Sequence, residues 1–293
     1  MTADITNITV LGTGVLGSQI AYQTAFSGLG VTAYDISADI APTAEKRFGE
    51  LAARYEKEVP AAGGGAAARA LTRITFSSNL AAAVRDADLV IEAVPELLEI
   101  KRDVYSKLGQ VAPAKTIFAT NTSTMLPSDL APYTGRPDRF LALHFANEIW
   151  QFNTAEVMAH PGTDPAVYQA VVDFARRIGM EPIELRREQR GYLLNSMLIP
   201  FLNASTELLV KGVANTETID RTWRTGTGAQ LGPFQILDMV GLNTAYNISA
   251  ASGDETLQAI AKYLKEHYID EGKLGVASGE GFYKYAETPP ASA

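Results

Sequence analysis

The chain's clearest chemical arrangement is Gly12-Thr13-Gly14-Val15-Leu16-Gly17, three glycines spaced G-x-G-x-x-G. Glycines at this spacing let a backbone turn meet a pair of phosphates. Gly12 permits the tight turn, Gly14 lets the main chain approach the pyrophosphate, and Gly17 lets the following helix close on a sheet. The helix N-terminus adds unpaired N–H groups and partial positive charge. Asp35 lies 18 residues beyond Gly17. A carboxylate there can accept hydrogen bonds from the adenosine ribose and repel a 2′-phosphate, so NAD is expected rather than NADP. Of the three histidines, His144 ends an apolar run and suits either proton transfer or core packing; position alone leaves both open. His160, before Pro161-Gly162, reads as a solvated loop residue, and His267, between Glu266 and Tyr268, as a surface residue. Three scattered histidines and no cysteine leave no metal-ligand cluster, disulfide or thiolate nucleophile to expect.

These residues need a frame, and the first half of the chain supplies one. Short apolar runs at 8–11, 31–34, 74–76, 89–91, 116–119 and 140–143 read as strands, with helical segments between most of them. That alternation predicts an α/β fold, a Rossmann-like, doubly wound and mainly parallel sheet with helices on both faces. Segments 155–158 and 182–185, with a helix near 165–178, extend it. The glycine turn follows the first strand and opens the first helix, Asp35 ends the second strand, and His144 ends a later one. Ligands gather at such carboxyl ends in open α/β sheets. The run Pro60-Ala61-Ala62-Gly63-Gly64-Gly65-Ala66 reads as a mobile loop within a helical excursion. Beyond about Arg187 strand signals vanish. Helices are expected over 192–210 (with Pro200 inside), 216–225, 234–250 and 254–271. The chain therefore divides into residues 1–187, a dinucleotide-binding domain, and residues 188–293, an all-helical domain for substrate and dimerisation.

Composition narrows the partners. A net charge of −8 offers no basic field for nucleic acid or an anionic membrane. No apolar stretch approaches the roughly 18 residues of a membrane span, and the N-terminus lacks the pattern of a secretory signal. A cytoplasmic location and a small-molecule substrate are expected.

The run Arg139-Phe140-Leu141-Ala142-Leu143-His144-Phe145-Ala146-Asn147, with Glu156 twelve residues after the histidine, resembles the active-site segment of the L-3-hydroxyacyl-CoA dehydrogenase family (3-hydroxybutyryl-CoA dehydrogenase-like). Ile91-Glu92-Ala93-Val94-Pro95-Glu96 with Lys101, Asn121-Thr122-Ser123, Gly232-Pro233-Phe234-Gln235-Ile236-Leu237-Asp238 and Gly279-Glu280-Gly281-Phe282-Tyr283-Lys284-Tyr285 resemble further family segments, in order along nearly the whole chain. The resemblance implies NAD-dependent oxidation of a short-chain L-3-hydroxyacyl-CoA to the 3-ketoacyl-CoA, or the reverse. His144 would be the general base or acid and Glu156 the carboxylate that orients it. Ser123 would bond the substrate oxygen or the nicotinamide, and Asn195 would hold the reacting oxygen. Glu96, Lys101 and Asn147 would line the cofactor site. A homodimer is also implied.

The sequence departs from the family where substrate would be held. The usual H-F-F-N-P-V-P reads His144-Phe145-Ala146-Asn147-Glu148-Ile149-Trp150, and P-G-F-x-x-N-R reads Arg190-Gly191-Tyr192-Leu193-Leu194-Asn195-Ser196. Val276-Ala277 replace basic residues, and Leu51 and Glu58 stand where relatives carry serine and lysine in the CoA-binding excursion. Arg47, Arg54, Lys57, Arg69 and Arg73 remain there, either as CoA phosphate ligands or as solvated helix faces. A free 3-hydroxy acid is the alternative substrate, and a non-catalytic NAD-binding sensor or structural protein the alternative class.

Overall fold

A computed structural model describes residues 4–285, which form two compact units, one ending at Leu193 and one beginning at Leu194. Eight strands make up one sheet in the first unit: β1 (Asn7–Leu11), β2 (Gly30–Tyr34), β3 (Ile74–Ser77), β4 (Leu89–Glu92), β5 (Ile117–Thr120), β6 (Phe140–Phe145), β7 (Thr154–Met158) and β8 (Glu181–Leu185). Their spatial order is β3-β2-β1-β4-β5-β6-β7-β8. The first six pair in parallel, β7 runs antiparallel to β6, and β8 is parallel to β7. Central strands β4, β5 and β6 are buried along their whole lengths, as expected of strands covered by helices on both faces.

The covering helices are α1 (Val15–Phe26), α2 (Ala41–Glu58), α3 (Ala66–Leu71), α4 (Leu80–Val84), α5 (Leu98–Val111), α6 (Pro127–Leu130) and α7 (Pro165–Arg177). Because the chain leaves β1 for β2 on one side and later returns to β4 on the other, strand order reverses at β1. A crevice opens there at the strands' carboxyl ends. Where the sequence suggests a mobile loop, residues Pro60–Ala62 form a 3-10 turn whose Ala62 is buried against the core before α3 begins.

The second unit consists of α8 (Leu194–Val210), α9 (Thr216–Thr227), α10 (Pro233–Val240), α11 (Leu242–Ala250) and α12 (Glu255–His267). Pro200 lies inside α8, as expected. The single helix expected over 234–250 is in fact two. Gly241 adopts φ 91°, a left-handed conformation that ends α10 and turns the chain into α11. Leu202, Phe234, Leu237 and Leu242 form this unit's own core. Two buried carboxylates brace it: Asp220 accepts from the Phe234 N–H (2.9 Å) and Tyr283 hydroxyl (2.9 Å), and Asp238 from the Phe282 and Tyr283 N–H groups.

Candidate active site

The glycine turn joins β1 to α1 at the strand-order reversal. Gly12 has φ 96°, and a Cβ on it would lie 2.6 Å from the Ala93 carbonyl oxygen. A Cβ on Gly17 would lie 2.0 Å from the Gly12 oxygen, so α1 can pack this closely only on glycine. Gly14 differs, because nothing lies within 4 Å of its missing Cβ. It caps α1 with no side chain bonded to the first-turn N–H groups, and the space beside it is open. That space belongs to a cavity of about 560 Å³ lined by Gly12, Gly14, Asp35, Arg47, Val94 and Lys107 among others. Asp35 accepts from the Thr13 N–H at 2.8 Å and from the Thr13 hydroxyl, which ties the turn to the end of β2. Open glycine, uncapped helix end and acidic strand end together fit a dinucleotide.

The second cluster grows from the carboxyl ends of β4, β5 and β6. His144 and Glu156 are direct cross-strand partners in the antiparallel β6–β7 ladder, which sets both side chains on one face. His144 Nδ1 lies 3.0 Å from Glu156 Oε2, with the histidine 6% and the glutamate 2% exposed. On its other side, His144 Nε2 lies 3.1 Å from the Ser123 hydroxyl. A buried carboxylate on one ring nitrogen and a hydroxyl on the other fix the imidazole's orientation, with Nε2 toward Ser123. The Leu193 N–H donates to Glu156 Oε1 at 2.8 Å, fixing the carboxylate from its far side.

Tyr192 has no role assigned by the sequence reading, yet its ring stacks on His144 with centroids 4.4 Å apart and planes 16° apart. Its hydroxyl donates to the Thr122 carbonyl at 2.8 Å. Burial pushes this phenol's pKa far up, helped by Glu96 and Glu156, so Tyr192 stays neutral. It also adopts φ 54°, a strained conformation for a bulky residue. Its place in the segment 190–196, matched to the family's P-G-F-x-x-N-R, is the local sign of this.

Ser123 is held in turn by Glu96. That carboxylate accepts from the N–H groups of Ser123 (2.9 Å) and Thr124 (3.0 Å) and from the hydroxyls of Thr122 and Thr124. Burial pushes Glu96 upward, but the Lys101 charge and the threonine hydroxyls outweigh it and hold the group below the usual carboxylate range. Lys101 is 1% exposed and bridges Glu96 (3.1 Å) to Glu92, itself fully buried and also bonded by Tyr105 and Thr120. The structure thus places Lys101 beneath the Ser123 loop rather than at its surface. Asn147 stands exposed in the turn after β6, three residues beyond His144. Asn195 lies near the start of α8 in the second unit. His160 is not a freely solvated residue: Nε2 lies 2.8 Å from the Pro137 carbonyl, and Nδ1 accepts from the Gly162 N–H.

The residues altered from the family pattern form a lock between α2 and the turn after β6. Glu58 accepts from Trp150 Nε1 and Gln151 Nε2, each at 2.8 Å, and pairs with Arg54. Arg54 also pairs with Glu148 at 2.8 Å and lies 4.5 Å from the Trp150 ring centroid. Leu51 is buried in the core. Among the described residues, no helix is long and apolar enough to cross a membrane.

A reversed-order parallel sheet with a glycine turn at its switch point defines a dinucleotide-binding α/β protein. Residues 7–189 match the family profile described as 3-hydroxyacyl-CoA dehydrogenase, NAD binding domain, and residues 191–285 match the C-terminal domain of the same family. The chain belongs to the 3-hydroxyacyl-CoA dehydrogenase family; it is an NAD-dependent dehydrogenase. It is 34% identical to the mitochondrial hydroxyacyl-coenzyme A dehydrogenase of Sus scrofa, over 96% of this chain and 91% of that protein. With the 3-hydroxybutyryl-CoA dehydrogenase of Bradyrhizobium diazoefficiens it shares 31% identity over 99% of each. A solved structure described as substrate-directed dual catalysis of dicarbonyl compounds by diketoreductase is 66% identical, with TM-score 0.94, across 97% of this chain and 100% of that one.

Proposed function

We propose that the protein catalyses reversible hydride transfer at the 3-carbon of a short-chain 3-hydroxy or 3-keto acyl compound, with His144 as the proton-transfer group. The contact chain Ser123–His144–Glu156 carries this reading. In oxidation His144 Nε2 takes the substrate hydroxyl proton; in reduction it returns one. Glu156 fixes the ring and stabilises the imidazolium, so it acts through His144. Ser123 donates to the substrate oxygen. Gly12, Gly14 and Gly17 seat the pyrophosphate, Asp35 accepts from the adenosine ribose, and Glu96, Lys101 and Asn147 order the nicotinamide end. NAD supplies the hydride acceptor. Cytoplasmic location and a homodimer through the helical unit belong to the same proposal.

Two substrates fit this chemistry. The family wording favours a short-chain L-3-hydroxyacyl-CoA. A dicarbonyl compound without CoA is favoured by the 66% identity to the diketoreductase structure and by the lock, in which Glu58 and Glu148 already occupy the Arg54 guanidinium that a CoA phosphate would need. A kinetic panel separates them: acetoacetyl-CoA on one side, an acetoacetate ester and a free 3-hydroxy acid on the other. Activity confined to the acyl-CoA sinks the second version, and activity confined to small carbonyl compounds sinks the first. The His144→Gln variant tests the shared mechanism. It is expected to bind NADH normally and to lose about 10²–10⁴-fold in turnover; near-normal turnover would overturn the assignment.

A further inference from the structure

We propose that Arg47 is a phosphate ligand of the dinucleotide, its guanidinium closing over the pyrophosphate from the α2 side of the glycine turn. Arg47 lines the same cavity as Gly12, Gly14 and Asp35. Its Nη1 donates to the Thr13 carbonyl at 2.9 Å, which anchors the guanidinium against the turn that faces the phosphates.

Charge within the cavity singles this residue out. Its cationic lining residues are Arg47 and Lys107, and Lys107 is paired with Asp103 at 2.6 Å. Arg47 makes no ion pair among the described residues, so its remaining N–H donors are available to an anion. The turn itself needs such help, because the Thr13 N–H is already taken by Asp35. That leaves the helix end and its dipole facing a group with two negative charges, beside the fixed negative charge of Asp35. A planar guanidinium anchored through one nitrogen can present the others to phosphate oxygens with little further loss of freedom. The same placement separates Arg47 from Arg54 on the same helix, whose guanidinium is bound to Glu58 and Glu148.

The test is nucleotide binding to the full chain, followed by NADH fluorescence and by calorimetry with ADP, adenosine and 2′-AMP, none of which requires turnover. Arg47→Met keeps the apolar stem and Arg47→Lys keeps the charge. Loss of one charge-assisted contact predicts about tenfold weaker NADH and ADP binding in Arg47→Met. Adenosine affinity should be unchanged, and Arg47→Lys should recover part of the loss. Three results would each overturn the proposal. One is wild-type NADH affinity in Arg47→Met. Another is an equal loss for adenosine and ADP, which would make Arg47 only a brace for Thr13. The third is a loss confined to 2′-AMP, which would place the guanidinium at the ribose instead. A failed substrate assignment leaves these titrations unaffected.

Discussion

At the residue scale, the proposed proton-transfer site depends on directions as much as on residue types. Both nitrogens of His144 have partners of different kinds, an anion at Nδ1 and a neutral hydroxyl at Nε2. Replacing the anion by an amide keeps the shape but can reverse the hydrogen-bond direction and select the wrong tautomer. Glu156→Gln is therefore expected to reduce kcat by roughly 10²-fold or more, with KM and NADH affinity little changed. Steady-state kinetics beside fluorescence titration checks this; a rise in KM alone would assign Glu156 to substrate binding. Which residues cluster here was legible from their order along the chain once the family pattern was matched. How they cluster was not. The His144–Glu156 contact exists because β7 runs antiparallel to β6, and a short strand segment such as 155–158 carries no mark of its direction. The role of Tyr192 was not legible for a similar reason: its stacking partner is far away in sequence and meets it only through the fold.

The element that most directly controls cofactor binding is the β1–α1 turn, and its glycines separate two kinds of damage. A methyl group on Gly17 collides with the Gly12 carbonyl, whereas one on Gly14 enters empty space. Gly17→Ala should cost stability, by about 1–3 kcal/mol for an overpacked contact, and weaken NADH as a consequence. Gly14→Ala should keep the melting temperature yet still weaken NADH, because the methyl occupies the room left for phosphate. Thermal melts paired with NADH titrations distinguish these outcomes; equal melting losses in both variants would refute the distinction. All eight strands were legible as apolar runs within a residue or two. The break at Gly241 was not, since apolar spacing continues smoothly across it and only the backbone angle reveals the turn. Likewise, the glycine-rich run near 60–66 gave no hint that Ala62 would be buried.

Across the whole molecule, acid sensitivity should come partly from Asp88, just before the start of β4. This carboxylate ties the start of β1 to the β4–β5 side of the sheet, accepting from the N–H groups of Thr6 and Asn7 and pairing with Lys115. Burial pushes its pKa up, but those bonds dominate and bring it down from 3.8 to about 2. A folded-state value below the unfolded one gives stability that is present above 3.8 and disappears as pH falls through about 2. Asp88→Asn should thus lower the neutral-pH melting temperature by roughly 2–4 °C. The gap from wild type should close across that acidic window. Melts at a series of pH values test it, and a gap that persists at the acid end would show that Asp88 contributes through shape alone.

The placement of Tyr192 and Leu193 has a consequence for how the molecule matures. The glycine turn and Asp35 come from the first few elements, between the end of β1 and the end of β2. The ring and the N–H that steady His144 and Glu156 come only after β8, in the last residues of the first unit. The pair proposed for proton transfer is therefore steadied by residues made only after every strand of the sheet.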